Sequence, residues 1–75
     1  MTPSDTAVRL AGTQPPQELW LALRTAARYR RRSAPQDRPS WSLAIRDYLT
    51  ALELQAHEPA YIAQALVFGS AKGAH

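Results

Sequence analysis

Arg28-Tyr29-Arg30-Arg31-Arg32 places four guanidinium groups around one phenol ring, and Ser40-Trp41-Ser42 follows eight residues after the run. Arginine offers a planar fork of donors that binds phosphate oxygens in pairs, where lysine acts as a point charge. A serine at a helix start adds its hydroxyl to the N–H groups that a helix N-terminus leaves without partners, and both favour anions. This combination suits the capture of a phosphate-bearing polyanion, above all a nucleic-acid backbone. The charge distribution agrees. Residues 24–38 hold Arg24, Arg28, Arg30, Arg31, Arg32 and Arg38 against Asp37 alone, whereas residues 47–75 hold Asp47, Glu53 and Glu58 against Lys72. The backbone-contact candidates are therefore Arg30, Arg31, Arg32, Arg38, Ser40 and Ser42. Trp41 falls on an apolar stripe, which makes core packing its first role.

The elements that must hold these residues follow from the patterning. Residues 1–5 are small and polar and read as a disordered arm. In Thr6-Ala7-Val8-Arg9-Leu10-Ala11, Val8 and Leu10 alternate with Ala7, Arg9 and Ala11, a period of two that predicts a short strand. Val8 and Leu10 would face the core, with Arg9 outward between Ala7 and Ala11. Paired strands can enter the DNA major groove, where arginine is the commonest reader of guanine, so Arg9 is a base-contact candidate. Gly12 to Pro16 breaks the chain, with Thr13 as a helix cap. Gln17 to about Arg31 predicts a helix with Leu19, Ala22, Leu23, Ala26 and Ala27 on one face. Arg30 would point into that stripe, so the helix is expected to fray there. Ser33–Pro39 reads as a linker.

Ser40 then caps a second helix to about His57, with Trp41, Ala44, Ile45, Tyr48, Leu49, Leu52 and Ala56 on its main face. Leu43 and Leu54 lie on the opposite side. A helix apolar on two sides is usually buried on two sides, and in so short a chain a second subunit must cover one of them. Pro59 opens a short third helix, with Gly69 as its stop and Ser70–His75 as a flexible tail.

Seventy-five residues make one domain whose core is marginal alone. There is no cysteine to staple it, and two isolated histidines make a structural zinc site improbable. A homodimer is the expected remedy. No run approaches the length of a membrane span, and Met1-Thr2-Pro3-Ser4-Asp5 lacks the features of a signal peptide, so a cytoplasmic location is expected. The acids and histidines form no acid–base constellation, and no phosphate-binding glycine loop or nucleophile triad is present. No enzymatic role, cofactor or metal site is expected.

The order strand, helix, linker, helix over residues 6–56 resembles the ribbon-helix-helix DNA-binding proteins, the class of Arc and the methionine repressor. The resemblance rests on Val8-Arg9-Leu10, on Gln17-Glu18-Leu19-Trp20-Leu21-Ala22-Leu23 through Ala26-Ala27, and on Ser40 through Leu49. It implies a mainly α fold with an intertwined homodimer whose two strands pair into one ribbon. It also implies that Arg9, with Ala7 and Ala11, contacts bases of double-stranded DNA, and that Ser40, Trp41 and Ser42 clamp phosphate. Val8, Leu10, Leu43, Ile45, Tyr48, Leu49 and Leu52 would form the dimer core. Residues 6–57 would be the DNA-binding domain of a small transcriptional repressor or an organiser of a plasmid or phage DNA site. Residues 58–75 would be an appendage. Two alternatives stand beside this one. In the first, an antitoxin-type regulator engages a protein partner through residues 59–75. In the second, the chain is an all-helical adaptor with no nucleic-acid role.

Overall fold

The structure, a computed structural model, describes the backbone of residues 2–73 and the side chains of residues 2–67. It is all-helical: α1 (Asp5–Thr13), α2 (Pro16–Arg32), a 3-10 turn (Pro35–Asp37), α3 (Arg38–His57) and α4 (Pro59–Gly73). No strand occurs among the described residues. The segment expected as a strand is α1, and the ribbon of the family resemblance is absent with it. Helix wins because Ser4 and Asp5 do not belong to a free arm. Ser4 is the N-cap of α1, its Oγ accepting from the Ala7 N–H at 3.1 Å, and Asp5 sits in the first turn where an acid favours a helix. The two alanines then complete a helical repeat of four. Ser4 Oγ also donates to Asp47 Oδ1 at 2.8 Å, tying the start of α1 to the middle of α3.

Other boundaries move for similar local reasons. Thr13 caps nothing, because it belongs to α1 and bonds the Arg9 carbonyl one turn back. α2 opens at Pro16 behind Pro15, whose carbonyl receives the N–H groups of Glu18 and Leu19. α3 starts at Arg38, so Ser40 is inside the helix rather than capping it, and Pro39 occupies the first turn where its missing N–H costs nothing. The expected linker shrinks to Ser33 and Ala34 followed by the 3-10 turn. α4 continues through Gly69 to Gly73, so the expected stop at Gly69 does not occur. Residues 74–75 of the expected tail lie outside the described residues.

The helices pair in two directions. α2 lies antiparallel along α3, with Tyr29 against Trp41, Arg30 against Ser42, and Leu19 clustered with Ala51. α1 runs parallel to α3, since Ser4 meets Asp47 and Ala11 meets Gln55. α4 packs on α1 and α3. The core is small in kind as well as number: among the described residues, Ala7, Ala11, Ala26, Ala51, Ala65 and Leu19 are the buried apolar ones. Alanine lets helix backbones approach closely, and the Cα extents of 38 × 33 × 16 Å give a thin body. Gly12 belongs to the same close approach, for a Cβ there would sit 3.2 Å from Gln64 Oε1.

One polar side chain is built into this core. Gln55 is only 2 % exposed, and its Nε2 donates to the carbonyls of Ala11 at 3.0 Å and Gln14 at 2.6 Å. The last carbonyls of a helix have no intrahelical donor, so Gln55 satisfies the end of α1 and clasps the α1–α2 corner to α3. Gln55→Glu is expected to replace the donor with a carboxylate facing two carbonyl oxygens and to cost at least ~2 kcal/mol at pH 7. The loss relative to the native chain should shrink at pH 4, where a protonated carboxyl regains one O–H donor. Urea denaturation at the two pH values measures both; a cost below ~0.5 kcal/mol would remove the clasp from the stability of the fold.

Candidate nucleic-acid interface

The basic run lies in the last turns of α2, and helical phase divides it. Leu19 and Ala26 mark the buried side of α2. Arg24, Arg28, Arg31 and Arg32 fall within about 100° of arc on the opposite side, at 3.6 residues per turn. All four are exposed, and none has a carboxylate or other side-chain partner among the described residues. They form a stripe about 12 Å long at 1.5 Å per residue. Arg38, the first residue of α3, is exposed at the same end of the hairpin. The nearest acid in sequence, Asp37, is also exposed.

Arg30 is the exception within the run. It turns toward α3 and donates from Nε to Ser42 Oγ at 2.8 Å. The expected fraying is therefore not observed: Arg30 stays exposed at the edge of the hairpin and finds an acceptor on α3, and α2 continues to Arg32. Beside it, the Tyr29 and Trp41 rings stack with centroids 5.3 Å apart and planes 17° from parallel. Ser33 closes the end of α2, its Oγ donating to the Tyr29 carbonyl at 2.6 Å. These contacts fix the register of the two helices and hence the outward direction of the stripe.

The residues expected at the site separate into three groups. Arg31, Arg32 and Arg38 are exposed at one end of the α2–α3 hairpin, and Ser40 is exposed in the first turn of α3. Arg30, Trp41 and Ser42 hold the hairpin together, so Trp41 and Ser42 are occupied inside the chain rather than held ready for phosphate. Arg9, Ala7 and Ala11 do not form a base-reading face. Ala7 and Ala11 are fully buried, because a four-residue helical spacing turns both inward, while Arg9 stays exposed on α1. Arg24 and Arg28 complete the stripe. Their spacing of four was the available signal, visible once α2 is taken as one unbroken helix to Arg32.

The residues expected in a dimer core are also redistributed. Leu10, Tyr48 and Leu52 pack against the chain's own core cluster. Val8 and Ile45 are half-buried, whereas Leu43 (59 % exposed) and Leu49 face solvent. Residues 59–67 partly cover the core, with Ala65 buried and Tyr61 packed against the cluster, yet Leu66 and Val67 remain exposed. The side chain of Phe68 lies outside the described residues. No metal-binding group of His, Cys, Asp or Glu occurs among the described residues. No described helix is long and apolar enough to cross a membrane.

The division of the run predicts opposite outcomes for neighbouring arginines. Arg31→Ala should leave stability within about 0.5 kcal/mol of the native chain. Arg30→Ala should cost about 0.5–1.5 kcal/mol through its hydrogen bond to Ser42. Thermal denaturation followed by circular dichroism compares the two; equal effects would contradict a stabilising role for the Arg30–Ser42 bond. Comparison of the chain with protein-family models, with curated proteins and with solved structures finds no match, so its functional reading rests on its own residues.

Proposed function

We propose that this chain binds nucleic acid through the sugar–phosphate backbone, using the outward stripe Arg24, Arg28, Arg31 and Arg32 with Arg38 at its end. The observation that carries this reading is that these five arginines are exposed without side-chain partners among the described residues, while Arg30, equally exposed in the same run, bonds Ser42 across the hairpin. Unpaired surface arginines repel one another unless an anion joins them. One DNA strand carries a phosphate about every 3.4 Å along the duplex axis, so a 12 Å stripe spans about four of them. With Ala7 and Ala11 buried, the reading no longer includes a strand-borne sequence reader. It is a backbone grip, consistent with a small DNA-organising or regulatory protein.

A second copy of the chain belongs to the same proposal. A core composed mostly of alanine buries little apolar side-chain area, and a short chain needs compensation. α4 carries no charged residue from 59 to 71, and Leu66 and Val67 stand 52 % and 69 % exposed on it. Pairing of α4 with its copy would cover both residues and set two arginine stripes on one assembly.

Two measurements test these statements separately. Binding of a labelled DNA duplex across a salt series should give a slope of log K against log salt of about −3 to −4 per chain. Arg28→Ala or Arg31→Ala should reduce its magnitude by about one each. A folded chain that does not bind, or binds without salt dependence, would overturn the backbone reading. Light scattering should give a dimer mass, and Leu66→Lys should convert it to monomer. A native monomer would remove the dimer and leave the backbone grip standing.

A further inference from the structure

The stripe borders an apolar groove that phosphate binding does not use. The groove, of about 410 Å³, runs between α2 and α3 and is lined by Leu21, Ala22, Thr25, Tyr29, Trp41 and Tyr48. It is a shallow, open depression rather than an enclosed cleft. Its outer rim is basic, since Arg28 and Arg32 stand three residues after Thr25 and Tyr29 and so adjoin them on the helix surface. Its acidic residue, Glu18, lies nearly three turns before Arg28 on α2, toward the other end. Apolar walls with an arginine rim at one end would suit a ligand with a flat apolar body and an attached anion.

The aromatic rings narrow that description. Tyr29 stacks on Trp41 in near-parallel planes, yet half its surface (51 %) remains exposed. A parallel ring pair with an exposed member is a stack that a third flat ring can extend. In a duplex, each base is already stacked and paired, and its ring faces are closed to a side chain. In a single strand the faces are open, and stacking on aromatic residues beside cationic grooves is the common mode of recognition.

We infer that the Tyr29–Trp41 groove receives an unpaired nucleobase whose flanking phosphates lie on Arg28 and Arg32, so that the chain prefers single-stranded nucleic acid to duplex. This rests on the backbone grip proposed above and names the form of nucleic acid it takes. The groove contributes stacking, the stripe contributes charge, and neither reads base identity.

The test compares a labelled fifteen-nucleotide oligo-dT strand with its duplex with oligo-dA, by fluorescence anisotropy in one buffer. The native chain should bind the single strand about tenfold or more tightly. Tyr29→Leu should abolish that preference, read as the ratio of the two affinities in the one variant, so that a shift of helix register, which weakens both forms alike, is separated from loss of the stack. Tyr29→Phe should keep it, since the ring is what stacks. Trp41 emission, isolated in a Trp20→Phe background, should be quenched by the single strand more than by the duplex, a readout that needs no change at Tyr29. Equal affinity for the two forms, or equal weakening of both by Tyr29→Leu with no differential quenching, overturns the groove's role and leaves the backbone grip in place. Binding to neither form overturns both.

Discussion

The fold depends on a single buried amide. Gln55 is fully inside the protein and spends both N–H bonds on backbone carbonyls at the end of α1. Its own Oε1 is buried with no partner among the described residues, an arrangement that costs free energy. The corner between α1 and α2 has no glycine-type cap, since Gln14 is extended and both Pro15 and Pro16 lack a backbone donor. Without a side-chain donor from α3 the chain would leave orphan carbonyls in its interior. With it, α1 is held parallel to α3, and α2 departs in the direction that makes the hairpin.

Close packing supplies the rest. Alanine at positions 7, 11, 26, 51 and 65 brings the helices near one another and leaves larger apolar residues at the margins. The same economy leaves Leu21, Leu43, Leu49, Leu66 and Val67 exposed, which is why association enters the proposed function. It also sharpens helical phase. When helices touch along thin stripes, a residue's angle decides its fate, and the run 28–32 sends Tyr29 and the still exposed Arg30 toward α3 and Arg28, Arg31 and Arg32 away from it.

The two long helices and the basic joint between them were legible in the sequence because they follow the 3.6-residue period over several turns. The first helix was not. Over five residues, Ala-Val-Arg-Leu-Ala satisfies a period of two as well as a period of four, and the deciding signal, Ser4 followed by Asp5, lay in a segment read as an arm. Gln55 was equally hidden, since a glutamine in a polar-looking stretch gives no sign that it will face another helix's carbonyls. At the site, charge composition located the arginines, but only an unbroken α2 revealed which of them share a face. That Trp41 packs within the chain followed from its apolar position, while its stacking on Tyr29 required the antiparallel pairing.

The separation of these contacts along the chain carries a kinetic consequence. The hairpin that presents the arginines is closed by residues twelve apart, Arg30 and Ser42, whereas α1 is held by residues 41 to 44 apart. Loop-closure entropy grows with separation, and local contacts form first. The order this favours is α2 and α3 meeting early, with α1 docking onto a hairpin already in register. The arginine face would then be assembled before the long-range clasp that gives the protein its stability.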